Sequence, residues 1–188
     1  MSLAGTYKRE SIIDNSQYID LFVSDNKTKI TKLVLYSPIK DREINNKKRK
    51  LFNFGFGDLD TETGTLLDSV LSDNGDARKV FLTVLSSVPE FFLKEPEAIL
   101  RVGGSDSTKE FLENCMAGCD REYCKKNGCR KKDRRIKRYQ NYVDDNYDQL
   151  SKDYNFFGGI NVNQQNDTYD IVDYVPHTDY TYVLIGKK

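Results

Sequence analysis

The sequence has no tryptophan, one histidine, two methionines and four prolines in 188 residues, and its 29 basic and 29 acidic residues leave no net charge. Each shortage closes a route. With His177 alone, a metal site built on histidines is not expected. No run approaches the roughly 18 apolar residues that a membrane-spanning helix needs, so no membrane partner is expected. No charged-then-apolar stretch near the N-terminus reads as a secretion signal, which gives an expectation of cytoplasmic localisation. The Gly-x-x-x-x-Gly-Lys-Ser/Thr spacing of a nucleotide-binding loop is missing, and no repeat of 20–50 residues is visible. Acidic residues are plentiful, but no spacing pairs an acid with a base. Catalysis therefore has little support, and no cofactor is expected.

What is present suffices for a core. Apolar residues make up 38%, with 12 Tyr and 10 Phe, and a chain of this length buries roughly 70% of its unfolded surface. The expectation is a single domain over residues 1–188, with 107–152 as a helical-hairpin insertion. Residues 18–24 and 29–36 alternate in character and are rich in β-branched and aromatic residues, which predicts a hairpin about Asp25-Asn26-Lys27. The polar run 39–50 reads as a loop. Residues 51–56 place Phe52, Phe54 and Phe56 on one face of a strand.

Ser72-Asp73-Asn74-Gly75-Asp76 is helix-start chemistry, with Asn74 or Asp76 as the cap. Val80, Val84 and Val88 then recur at helical spacing, and Pro89 predicts a kink or a new short helix. The phenylalanines of 51–56 should share a core with those valines. Residues 98–102 read as a strand, followed by helical spacing on both sides of a break at Asn127-Gly128. Strands are expected at 156–162, 169–174 and 180–185, with turns at 164–168 and 176–179. The fold class that follows is α+β: a mixed or antiparallel sheet of about six strands, one helix (76–93) packed on a face, and a projecting αα-hairpin.

Asn74-Gly75-Asp76, Lys79-Val80, Thr83-Val84, Phe91 or Phe92, Pro96 and Gly104-Ser105 together resemble the core pattern of a small bacterial domain family of unknown function, of a type met in Bacteroidota. Phe156-Phe157-Gly158 is similar to a later part of the same pattern. The resemblance implies an α+β domain and no assigned activity, and the chain departs from the pattern between Cys115 and Arg138.

Three segments are candidate sites. Gly103, Gly104, Ser105, Ser107 and Lys109 form a strand–turn–helix start whose amides and hydroxyls can hold a phosphate or carboxylate. Internal capping by Ser107 and Glu110 competes for the same amides, and Asp106 would repel an anion. Cys115, Cys119, Cys124 and Cys129 are the candidate zinc ligands, but their C-x3-C-x4-C-x4-C spacing is not that of the usual C-x2-C knuckle. Reduced thiols are the favoured reading, with a Cys124–Cys129 disulfide across the hairpin turn as an alternative to metal. Met1-Ser2-Leu3 is compatible with a cloning remnant.

The third candidate is the basic segment. Residues 121–138 carry ten bases against two acids, whereas 142–180 carry eight acids against one base. Lys125, Lys126, Arg130, Lys131, Arg134, Arg135 and Arg138, with Tyr123, Tyr139 and Tyr142 interleaved, could bind phosphates and stack bases. The competing reading has the following acids, Asp144 to Asp153, neutralise these cations within the fold. The functional expectation is a non-enzymatic binding or interaction module of the bacterial cytoplasm, with another protein or a second copy of itself as partner. The alternatives are nucleic-acid binding through 125–138, and an enzyme or sensor taking a phosphorylated ligand at 103–109.

Overall fold

The alternating residues 17–36 do form a hairpin in the computed structural model, which describes residues 5–67, 74–119, 122–163 and 168–188. Met1-Ser2-Leu3, Ser72-Asp73 and most of the expected turn at 164–168 lie outside those residues. The strands are β1 (Glu10–Asp14), β2 (Gln17–Asp25), β3 (Lys29–Ile44), β4 (Lys47–Leu59), β5 (Leu66–Leu67), β6 (Ile99–Gly103), β7 (Tyr154–Asn163), β8 (Thr168–Asp173) and β9 (Tyr182–Lys187). The helices are α1 (Ala77–Lys94), α2 (Lys109–Ala117), α3 (Glu122–Asn127), α4 (Arg134–Asp145) and α5 (Tyr147–Leu150).

Among the described residues, nine strands and five helices overturn the expected six-strand sheet with one packed helix and a two-helix hairpin. The difference lies in two added strands, β1 and β5, in the lengthening of β3 and β4, and in a hairpin broken into short helices. Residues 39–50 are a β-turn-β unit whose charged residues mostly face water, with Ile44 alone buried, so hydrophobic alternation is lost while strand pairing continues. Asn45 and Asn46 at the tip take φ of 53° and 59°, the left-handed pair that a two-residue hairpin turn requires. Pro38 sits inside β3 because the register shifts just beyond it, between Ile39 and Arg42, where a ladder bond can be forgone. Strand β1 shows no apolar face because all five of its residues are exposed. Downstream, the expected hairpin is broken into α2 to α5 by Gly118, Gly128 and Asn146.

The chain divides into two compact units, one reaching to Leu100 and including Lys187, the other running from Arg101 to Gly186 with Lys188. In the first, β1, β2, β3 and β4 are neighbours in that order and β5 pairs with β4. Tyr36 lies opposite Phe54 in the ladder, and Phe91 of α1 stacks on Tyr36 at 4.6 Å and meets Phe52 edge-on at 5.1 Å. Burying a side chain as large as Phe91 contributes about 2–3 kcal/mol. Phe52, Phe54, Val80 and Val84 are buried, whereas Phe56 and Val88 are half-buried. Ser87 takes the inward place beside Val88. Its hydroxyl donates to the Val84 carbonyl at 2.6 Å and meets the Tyr36 hydroxyl at 2.5 Å, so its burial leaves no polar atom unpaired. Helix α1 runs unbroken through Pro89, which is exposed.

In the second unit β9 lies between β6 and β7, and β8 follows β7. Ile136 and Val143 of α4 pack with Phe156, Tyr174, Tyr180 and Val183. The rings of Tyr180 and Tyr182 lie on the backbone of β7: a Cβ at Gly158 would stand 2.0 Å from Tyr180 and one at Gly159 2.2 Å from Tyr182. Among the described residues, no helix is long and apolar enough to cross a membrane.

Candidate binding surface

The loop 103–109 is shaped by its own polar groups. Gly103 ends β6, Ser105–Ser107 make one 3-10 turn, and Thr108, rather than Ser107, caps α2 by accepting from the Phe111 amide at 3.2 Å. Asp106 is 6% exposed and its Oδ2 accepts the Arg135 amide at 3.0 Å, in the first turn of α4. The Arg135 guanidinium in turn donates to Ser105 Oγ at 2.9 Å. The positive end of α4 thus already faces a carboxylate of the chain itself. Lys109 is exposed, 3.6 Å from Glu113.

Two atoms in this loop lack partners: Asp106 Oδ1 and Ser107 Oγ are buried without a hydrogen bond. Both face Gly104, whose Cβ position lies 2.5 Å from the first and 3.0 Å from the second. Burial pushes the Asp106 carboxyl above its ordinary value, against the Arg135 amide and charge. A cleft of about 400 Å³ adjoins the loop, with Ser107, Lys132, Lys137, Gln140, Asp179 and Tyr180 in its walls.

Cys115 lies on α2, Cys119 just past its end, Cys124 on α3 and Cys129 in the turn before α4. Cys115 Sγ and Cys129 Sγ lie 2.7 Å apart, a different pair from the Cys124–Cys129 disulfide that was the alternative to reduced thiols. Cys124 and Cys129 are buried, Cys115 and Cys119 are half-buried, and all four are free thiols. Among the described residues, no three histidine, cysteine or acidic side chains converge as metal ligands.

The basic segment is amphipathic. Helix α4 turns Ile136, Gln140 and Val143 inward, and Gln140 Nε2 donates to the Tyr180 carbonyl at 3.0 Å. The remaining face carries the cations. Lys125, Lys126, Arg130, Lys131, Lys132, Arg134, Lys137 and Arg138 are exposed, and Arg135 alone is turned to the loop. Lys126 pairs with Glu122 at 2.7 Å, and Lys132 lies 3.9 Å from Asp133. The other six exposed cations make no ion pair among the described residues.

Asp144, the first of the acids expected to neutralise them, accepts the Tyr174 hydroxyl at 2.7 Å and lies 3.6 Å from His177 Nδ1. It therefore faces the C-terminal strands. The tyrosines are not free rings: Tyr139 and Tyr142 are half-buried, and burial pushes the Tyr139 hydroxyl up to about 12 although Arg135 and Arg138 pull it down. The side chain of Tyr123 lies outside the described set.

The sequence reading missed a polar network inside the first unit. Lys32 forms a buried ion pair with Asp58. Arg9 bridges Asp20 and Glu90, each at 2.6 Å. Asn74 is no cap. Its Oδ1 accepts the amides of Lys27 and Thr28 at 3.0 and 2.9 Å, and its Nδ2 donates to Ser24 Oγ at 2.7 Å, so it holds the β2–β3 turn. Asp76 stands at the N-cap of α1, but its carboxylate accepts from Tyr7 and Ser24 instead of the helix amides. One signal was available: Lys32 shares a period-two face with Val34 and Tyr36, so it had to point inward.

The model of a family described as of unknown function, DUF6934, matches residues 5–115. Those residues hold Asn74-Gly75-Asp76, Lys79-Val80, Thr83-Val84, Pro96 and Gly104-Ser105, whereas Phe156-Phe157-Gly158 lies beyond them. No curated protein and no solved structure matches the chain.

Proposed function

Starting from a chain that belongs to the DUF6934 family, whose function is open, we propose that this protein is a non-enzymatic binding module that grips the phosphate backbone of a nucleic acid through residues 125–138. The observation that supports this reading is the set of six exposed cations, Lys125, Arg130, Lys131, Arg134, Lys137 and Arg138, with no ion pair among the described residues. Unneutralised cations so closely spaced are an electrostatic footprint for polyanions. The zero total charge does not cancel it, because salt screens charges beyond roughly 8 Å in physiological solution. Half-buried tyrosines leave little for base stacking, so the contacts are to phosphates and nearly indifferent to sequence. Four free thiols suit a reducing compartment such as the cytoplasm.

The test is a titration of labelled single- and double-stranded DNA and RNA at low salt. Affinity should fall by roughly 0.7–0.9 log units per contacted phosphate for each tenfold rise in salt. The triple variant Arg134→Glu/Lys137→Glu/Arg138→Glu should lose binding and keep its melting temperature. No binding at low salt, or a triple variant that binds as the parent does, overturns the reading. Binding of polyglutamate alone would make the partner an acidic protein instead.

A second reading, self-association, has one observation behind it. Strand β1 ends the strand order of the first unit, and its Ile12 and Ile13 are 47% and 60% exposed. An unpaired edge of this kind is a template for a second copy. Sedimentation of the parent and of Ile13→Lys tests it: a dimer abolished by the substitution supports the edge, and a monomeric parent removes it.

A further inference from the structure

Of the four thiols, two have been brought together by separate elements. Cys115 lies in the last turns of α2, and Cys129 lies in the turn that leads into Arg130-Lys131-Lys132 and α4. Their sulfurs, 2.7 Å apart, need approach by only about 0.7 Å to reach the bonding length of a disulfide. The residues between them include α3, with Lys125 and Lys126. We propose that Cys115 and Cys129 are a reversible redox pair whose oxidation closes residues 115–129 into a loop and strengthens the grip of the adjoining basic surface. The second half of this statement rests on the nucleic-acid reading above; the first does not.

The chemistry is thiol–disulfide exchange with a small-molecule disulfide of the glutathione class. Cys115 is half-buried and Cys129 is buried, so Cys115 reacts first. Its thiolate attacks one sulfur of the small disulfide, forming a mixed disulfide and expelling one small thiolate. Cys129, losing its proton, then attacks the Cys115 sulfur, forms the internal bond and expels the second small thiolate. The two protein thiols give up two electrons, the small disulfide takes them, and the two protons end on the two released small thiols.

The hydrogen bond with Cys129 raises the thiol pKa of Cys115, with burial and the neighbouring Cys129 and Cys119 acting the same way and Lys131 opposing. The attacking species is the thiolate, so the exchange quickens as pH rises. Closing the loop limits the freedom of the segment that carries Lys125 and Lys126, and a pre-ordered surface loses less entropy on binding.

The experiment treats the full chain with oxidised glutathione, blocks the remaining thiols, and maps peptides without reduction. The expected result is one cross-linked peptide pair containing Cys115 and Cys129, with Cys119 and Cys124 alkylated, reversed by dithiothreitol and absent in Cys129→Ser. Cross-linking of Cys124 to Cys129, disulfides only between chains, or no disulfide overturns the pair. So does one zinc per chain that shields all four thiols from alkylation. Binding of the labelled oligonucleotide should tighten about threefold on oxidation. With the cross-link confirmed, unchanged or weaker binding overturns the regulatory half. If reduced and oxidised chains both fail to bind, the nucleic-acid reading falls and the regulatory half with it, while the redox pair stands.

Discussion

In the first unit, Lys32 and Arg9 reach inward to Asp58 and Asp20, whereas in the second, Arg134, Lys137 and Arg138 stand in solvent with no ion pair among the described residues. The same residue types do opposite work because of the element that carries them. On β3, a period-two face commits Lys32 to the side of Val34 and Tyr36. On α4, an inner stripe of Ile136, Gln140 and Val143 leaves Arg134, Lys137 and Arg138 facing water. A buried pair specifies one arrangement of the interior at little net gain in stability. Unpaired surface cations contribute nothing to the fold and are available to a partner. The family match spans the residues that hold the buried pairs and stops at Cys115, so the basic surface lies beyond it.

The largest effect should come from breaking an inward pair. Lys32→Ala leaves Asp58 buried and unmatched and should cost about 3–5 kcal/mol in urea unfolding, while Lys32→Met with Asp58→Leu should be near neutral. A single substitution costing less than about 1 kcal/mol would show that the pair is hydrated, and the contrast with α4 would dissolve.

Next comes a change that tests the packing of the second unit alone. Gly158→Ala sets a methyl group into the Tyr180 ring and should destabilise by about 1–3 kcal/mol, read from thermal unfolding.

Two buried or partly buried aspartates sharpen the comparison through pH. Burial pushes the Asp76 carboxyl up, but the hydroxyls of Ser24 and Tyr7 hold it below its ordinary value of 3.8. Its contribution is therefore present above that value and lost as pH falls through the folded-state pKa. Asp106 is raised by burial, so the sign reverses: its native state gains as pH falls and loses as pH rises through the folded-state pKa. Asp76→Asn should lose stability at pH 7 and converge with the parent in acid. Asp106→Asn should lose least at pH 7, since its carbonyl can still accept the Arg135 amide, and should flatten the acid limb of the profile.

The smallest effect is expected on the outward set. Each of Arg134→Glu, Lys137→Glu and Arg138→Glu should change stability by no more than about 0.5 kcal/mol. A larger loss in thermal melts would mean that these cations serve the fold after all.

The sequence carried the β2–β3 hairpin and the inner faces of β4 and α1, where apolar residues recur at the period of the element, and the three late strands, where aromatic and β-branched residues are dense between turn residues. It hid β1, where every side chain is exposed, and the distal β3–β4 arms, where the side chains other than Ile39, Ile44 and Arg49 are exposed and backbone pairing defines the strand. It placed the helix start near Asn74 and Asp76, yet both side chains serve long-range partners that local capping rules do not see. Of the candidate surface, the cations of 125–138 were legible from composition, but the inward turn of Arg135 depended on Asp106 and Ser105, 29 and 30 residues away. The Cys115–Cys129 approach was equally out of reach, since it depends on where α2 ends relative to the turn before α4.

The β3–β4 hairpin also sets an order in time. Its two arms, Lys29–Ile44 and Lys47–Leu59, are joined by two residues, so the first contact closes almost no loop and each further rung adds to a formed neighbour. Such zippering takes about 1–10 μs, far faster than pairing strands distant in the chain. The ribosome delivers the hairpin complete before it has made α1, at about 5–20 residues per second. The platform on which Phe91 later docks can therefore exist before Phe91 does, and the buried ion pair of Lys32 and Asp58, both on that hairpin, can be matched at synthesis without waiting for the rest of the chain.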